Sequence, residues 1–319
     1  MRKSQEQPEA ARRSKLQGDS VFKSTVVVFA SALVFLTLFY FYELVTGAST
    51  TLKLGPSFIT GSTWDPLRGV FGALPMLYGS LVTAAIALLI GVPISLGVAI
   101  FISELSPQRL RFPIGFLVEL LAAVPSVVYG LWGLFILAPF LSSYIYPPLQ
   151  RYLGFLPLFQ GRIFGVSIMT AGIILAIMII PIVSSISRDA LLAVPDSQRE
   201  AAYALGATKS EAVGSSVLSY ARSGIIAAIF LGFGRAFGET MAVTFIIGNS
   251  PVIPSSLLAP GYTLASLIAN EFTEATTTAY RSSLIEAGLV LLLVSFASTF
   301  LGRLLIRRLI KSREAATYL

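Results

Sequence analysis

The sequence predicts an all-α polytopic membrane protein with six transmembrane helices and a two-helix loop on the cytoplasmic side. Three observations carry that prediction. The 319 residues are 55% hydrophobic and only 12% charged, about half the charged share of a soluble domain, and mean hydropathy is +0.80. Apolar runs recur at 26–45, 79–102, 116–138, 164–186, 224–247 and 284–305, each near the ~20 residues a helix needs to cross a bilayer. Between the fourth and fifth runs lies a water-facing stretch of orderly charge, Arg188 to Arg222.

The chain has no Cys and no His. Disulfides, thiol catalysis, the usual metal ligand and the neutral-pH proton shuttle are therefore excluded, and no cofactor or metal is expected. A net charge of +7 suggests nucleic acid until its distribution is followed. With the N-terminus inside, 17 of the 23 Lys and Arg residues fall in cytoplasmic segments. Five (Lys53, Arg68, Arg151, Arg162, Arg281) fall outside, and Arg235 lies within a run. The positive-inside rule then places both termini and Arg188–Arg222 in the cytoplasm of a multi-pass membrane protein, whose basic flanks meet lipid and not nucleic acid.

Taken in order, residues 1–25 read as a cytoplasmic tail with Arg2, Lys3, Arg12, Arg13 and Lys15. Residues 26–76 read as an uncleaved first span and an extracytoplasmic segment, since a signal peptide has a shorter apolar core and a small-residue cleavage site. Trp64 and Tyr78 suit interfacial anchoring. Residues 77–308 form the membrane core, with the loop at 188–222, and 309–319 a cytoplasmic tail. Pro93, Pro125, Pro139 and Pro181 predict kinked spans. The 140–163 segment, with Tyr144, Tyr146, Pro147, Pro148 and Pro157, reads as an aromatic-proline interfacial cap or a face for an extracellular partner.

Within the 188–222 loop, Ser197 with Glu200 and Thr208 with Glu211 each have capping-box spacing. Gly206 sits where a left-handed C-cap belongs. The pattern predicts two short helices joined by a tight turn. Glu200-Ala201-Ala202, three residues and Gly206 resemble the EAA loop through which ABC-transporter permeases dock into a cytoplasmic ATPase; an ordinary amphipathic hairpin is the alternative. That pattern ends in Ile-x-Leu-Pro, whereas here Ser216-Val217-Leu218-Ser219 stands in its place. Gly206-Ala207-Thr208-Lys209-Ser210 lacks the glycine before the lysine and the preceding strand of a P-loop, so nucleotide belongs to a partner.

The fifth run carries Gly232-Phe233-Gly234-Arg235-Ala236-Phe237-Gly238-Glu239-Thr240. Four-residue spacing puts Arg235 and Glu239 on one helical face. A mid-bilayer Arg costs about 2.5–3.5 kcal/mol on insertion scales and persists where a partner, a wet cavity or a substrate offsets it. Two readings stay open: an ion pair that locks the bundle, and an anion pathway of Arg235, Glu239 and Thr240 in which a guanidinium fork meets oxyanion oxygens. Gly234 and Gly238 form a G-x-x-x-G step expected to admit another helix.

GRAFGETMAV with Ile247-Gly248-Asn249, the Ala122–Phe135 stretch AAVPSVVYGLWGLF, and REAAYALGAT from Arg199 together resemble the PstC-type permease family of bacterial phosphate ABC transporters. The likeness covers about residues 75–305. It implies a type I importer permease fold, inorganic phosphate as substrate, and transport roles for Arg235 and Glu239. It also implies partners: a second, PstA-like permease, two PstB-like ATP-binding subunits and a PstS-like periplasmic phosphate-binding protein. A molybdate or sulfate permease and a secondary anion transporter are the alternatives, but the second leaves the Glu200 loop without a task.

Overall fold

The computed structural model describes residues 7–317, with side chains from 21 to 308. Arg2 and Lys3 lie outside the described residues, as do the side chains of Arg12, Arg13 and Lys15. Among the described residues six helices are long and apolar enough to cross a membrane: Val21–Gly47, Leu74–Leu105, Ser126–Leu153, Ile168–Leu192, Lys209–Phe237 and Thr278–Arg308. In chain order they are the first to sixth spans. The helix carrying the sixth continues to Thr317.

Two spans differ from expectation. The third was expected at 116–138, but a separate helix, Gln108–Ala123, ends there at Val124, whose ψ is 125°. A residue before proline is pushed out of the helical region, so Pro125 is a boundary, not a kink. The chain restarts at Ser126 and stays helical to Leu153, through π-turns at Gly133–Leu137 and Leu141–Ile145. Such turns relax the backbone ladder where prolines remove donors, and Pro139, Pro147 and Pro148 are all carried within the helix. The expected 140–163 cap is therefore largely span. Tyr146 is no interfacial residue: it is fully buried and its hydroxyl is 2.6 Å from that of Thr170. The fifth span, expected at 224–247, starts earlier, at Lys209, and stops earlier, at Phe237.

The core lies between the second, fourth and fifth spans, around Ile86, Ile174, Ile179, Val183, Ala228 and Phe237. Small residues let the second and fourth spans close together. A Cβ at Gly91 would lie 2.8 Å from Ile179 Cγ1, and one at Gly172 2.5 Å from Ile86 Cγ2. Membrane helices associate through such close packing because lipid offers no hydrophobic drive. The first span stands apart, exposed from Val21 to Glu43 and docked only near its end, where Gly47 meets Ile285.

The connecting segments gather at two ends. At one, Trp64, in a small hairpin of Trp64–Asp65 with Val70–Phe71, donates its indole N–H to Glu271 at 2.9 Å. Glu271 also accepts from the hydroxyls of Tyr280 (2.7 Å) and Tyr262 (3.2 Å). Trp64 is 7% exposed, so it ties the segment after the first span to the bundle instead of anchoring at an interface. Burial pushes the pKa of Tyr262 above its ordinary value. The Arg188–Arg222 stretch lies at the opposite end.

Candidate functional site

The hairpin at 188–222 comes first. Its leading helix, Asp196–Ala204, begins directly after Pro195, so Ser197 sits inside the first turn and the expected Ser197–Glu200 capping box does not form. The turn is as expected. Gly206 has φ +87°, a conformation that costs glycine nothing. Gly206 N–H reaches Tyr203 O at 2.9 Å and Ala207 N–H reaches Ala202 O at 3.1 Å, the two bonds of a Schellman cap. The Thr208–Glu211 capping box is present. Beyond that cap the chain forms no second short helix but the fifth span itself, continuous from Lys209 to Phe237 with one π-turn at Val213–Val217. Ser219, standing where the EAA pattern has proline, leaves that helix unbroken.

Glu200, Ala201 and Gly206 face outward, and Ala202 is buried. The structure adds two apolar side chains to the outward surface, Tyr203 at 45% and Leu205 at 90% exposure. Sequence reasoning passed over them, although a Leu just before the C-cap glycine, off the helix's buried stripe, was the available signal. It also missed Arg199. This guanidinium spends all five N–H groups: Nε and Nη2 on Glu104 (3.3 and 2.7 Å), Nη2 on Leu191 O (3.0 Å), and Nη1 on Val194 O (2.6 Å) and Asp196 (3.3 Å). The Arg199 and Glu104 side chains are 17% and 8% exposed. The hydrogen bond to Glu104 holds the Arg199 pKa above its usual value.

The second region is the far end of the fifth span. The helix stops at Phe237, Gly238 to Thr240 are non-helical, and a short helix, Met241–Ile246, follows. The expected run through 247 is thus broken at Gly238, and Glu239, one residue before the N-cap Thr240 of the next helix, accepts from Ala242 N–H at 3.3 Å. A carboxylate at a helix start is favoured by the free N–H groups there. Broken backbone at membrane depth survives only inside protein or along a wet cavity.

Arg235 lies in the last turn of the span, not at its middle. Its Nη1 is 3.0 Å from Glu239 Oε2, and the side chains are 45% and 3% exposed. Nε and Nη2 have no hydrogen-bond partner among the described residues. Thr240 is half-buried beside the pair, its hydroxyl turned to Gly238 O at 3.4 Å. Gly234 and Gly238 do not admit a helix of this chain: a Cβ at Gly234 meets nothing within 4 Å, and one at Gly238 meets only Gly234 O. The close approach falls one face away, where a Cβ at Gly232 would lie 2.6 Å from Val183. The structure therefore pairs an open Arg235 with a buried Glu239, and half-buried Thr240 follows Glu239 directly in the chain. It holds Glu200, Ala201, Ala202 and Gly206 together at the other end of the same helix.

Solved structures share this architecture. A chain of a bacterial ABC transporter involved in the import of the acidic polysaccharide alginate matches with a TM-score of 0.59 at 14% identity, covering 92% of this chain and 99% of that one. A chain of the MetNI methionine ABC transporter, in an inward-facing conformation, gives 0.53 at 16% identity over 77% and 99%. At these identities the likeness concerns the fold alone, that of chains found in ABC transporters. Sequence relatives narrow it. The phosphate transport system permease protein PstC of Xylella fastidiosa is 50% identical over 272 residues, 84% of each chain. That of Haemophilus influenzae is 45% identical over 296 residues, 91% of this chain and 94% of its own. A probable PstC of Methanocaldococcus jannaschii is 37% identical over 85% and 86% of the two. Residues 91–311 match the binding-protein-dependent transport system inner membrane component family. The chain belongs to that family, among its PstC permeases.

Proposed function

We propose that this chain is the translocating subunit of an ATP-driven importer of inorganic phosphate in the bacterial cytoplasmic membrane. The observation that carries the reading is the open Arg235. One Nη atom is committed to Glu239 while Nε and Nη2 stay available, and a guanidinium edge offers paired N–H donors that match two oxygens of a tetrahedral oxyanion. Glu239, clamped between Arg235 and the Ala242 N–H, lowers the net positive charge so that an anion binds without being trapped. Thr240 adds a hydroxyl beside the same face. The names of the relatives support phosphate as that anion.

The hairpin supports the ATPase contact, and the likeness to PstC permeases supports the rest of the assembly. Two PstB-like ATP-binding subunits supply hydrolysis, one of them gripping this chain through Glu200, Ala201, Ala202 and Gly206, with Tyr203 and Leu205 as apolar contacts. A PstA-like permease completes the pathway, and a PstS-like periplasmic protein delivers phosphate. Both termini and the hairpin lie in the cytoplasm.

Two measurements test this reading. In cells expressing the assembled complex, radiolabelled phosphate uptake should resist excess molybdate and sulfate; full competition by either would reassign the substrate. Tags after Thr60 or within 255–280 should label from outside intact cells, and a tag at Lys209 should not. External labelling at Lys209 would invert the orientation and remove the ATPase from the hairpin.

A further inference from the structure

The hairpin is joined to three spans in three ways. The fourth span leads into it through the short Ala193–Pro195 link, and the fifth span is its own second helix. The second span has no chain connection to it. It reaches the hairpin through the Arg199–Glu104 pair and a small apolar cluster of Ala99, Val194, Val217 and Ala221. Glu104 stands in the π-turn Phe101–Leu105 that ends the second span. Arg199 directly precedes the Glu200-Ala201-Ala202 core.

We propose that Arg199 is a positioning residue that makes the end of the second span move with the docking hairpin, so that displacement driven by the ATPase reaches the second span through Glu104. The geometry is that of a rigid joint. Two contacts to one carboxylate fix the guanidinium plane. The other three N–H groups hold Leu191 O, Val194 O and Asp196, all on the path from the fourth span into the hairpin. No donor is left over, and the pair is sheltered from water that would loosen it. Lysine has three donors radiating from one point and cannot satisfy these acceptors in a plane. Because the second and fourth spans also interlock at Gly91 and Gly172, movement passed to the second span is passed to the core.

The inference rests on the hairpin being the ATPase dock, and the test separates the two claims. The purified complex, with its ATPase, is placed in vesicles, and phosphate moved per ATP hydrolysed is measured for wild type, Arg199→Lys and Glu104→Gln. Hydrolysis per assembled complex should persist, because the outward face is untouched. Transport per ATP should fall on the order of tenfold, as loss of a coupling energy between two sites implies. The chain lacks cysteine, so spin labels can be placed at Gln108→Cys and Gln198→Cys alone. Their separation should stay constant between nucleotide-free and ATP-bound complexes and vary once Arg199 is Lys.

If Arg199→Lys does not assemble, Glu104→Gln decides, since it keeps the three contacts of Arg199 to Leu191, Val194 and Asp196. An unchanged transport-to-hydrolysis ratio in an assembled variant sinks the inference, even if the amount of complex drops, because a merely structural tie affects assembly alone. A wild-type label separation that changes with nucleotide also sinks it. If no ATPase assembles with this chain, the docking reading falls and takes this inference with it.

Discussion

Arg199 and Arg235 each face one glutamate near opposite ends of the fifth-span helix, and almost everything else about the two pairs differs. Arg199 meets Glu104 across 95 residues of sequence, with both side chains sheltered and all five donors placed. Arg235 meets Glu239 one helical turn away, through one nitrogen, with 45% of its side chain open. A guanidinium with no spare donor can only hold protein together. One with spare donors on an open face can take a further anion. The contrast underlies both proposals, a joint at Arg199 and an anion-binding group at Arg235, and it also shows an asymmetry inside the second pair. Removing Arg235 strands a buried carboxylate, whereas removing Glu239 strands a half-open guanidinium.

The largest expected effect comes from that asymmetry. Arg235→Gln should cut phosphate uptake by about two orders of magnitude, the equivalent of ~3 kcal/mol of lost ionic contact. It should also lower the amount of assembled complex, because Glu239 is left buried and unpaired at a cost of about 3 kcal/mol. Glu239→Gln should assemble nearly normally. Equal assembly defects in the two variants, read by quantitative blotting of membranes, would break the asymmetry.

Gly206→Val comes next and probes the other end. A β-branched residue at φ +87° costs about 1–3 kcal/mol, enough to reshape the turn between the two helices. Membrane insertion should be unaffected, while uptake and ATPase recovery fall by roughly tenfold, since 1.4 kcal/mol is a factor of ten. Normal uptake with normal ATPase recovery would remove the docking role.

The smallest effects sharpen the local picture. Thr208→Ala removes a formed capping box and should cost about 1 kcal/mol, seen as faster amide exchange at the start of the fifth span. Ser197→Ala has the same capping-box spacing in sequence but removes no cap bond, so exchange there should not change. A matching loss at Ser197 would mean that the first cap forms after all.

These contrasts also show what the sequence made legible. The number of spans was readable because hydropathy is summed over local windows. So were Gly206 and the Thr208–Glu211 cap, which depend on a few consecutive residues. The break at Gly238–Thr240 was not, because glycines and one Glu do little to lower the apolar average around them. The third span was misplaced for a similar reason: the apolar run continues across Val124–Pro125, and only backbone sterics divide it. Arg235 and Glu239 were identified from spacing, although their unequal exposure depends on which face of the bundle stays open. Arg199 escaped notice because its partners Glu104 and Leu191 reach it only through tertiary packing. Trp64 was misread likewise, its acceptor Glu271 lying 207 residues away.

The claim that Arg235 serves an anion and not merely Glu239 is tested most directly by phosphate uptake in the double variant Arg235→Gln, Glu239→Gln, normalised to assembled complex. With both charges gone no carboxylate is stranded, and assembly should return to near wild type. Uptake should nevertheless stay about as low as in Arg235→Gln alone, because the donor fork for phosphate is absent, and adding Arg235→Lys in place of Gln should recover only part of it. Near-normal uptake by the double variant would show that the pair is a lock within the bundle and that phosphate is recognised elsewhere.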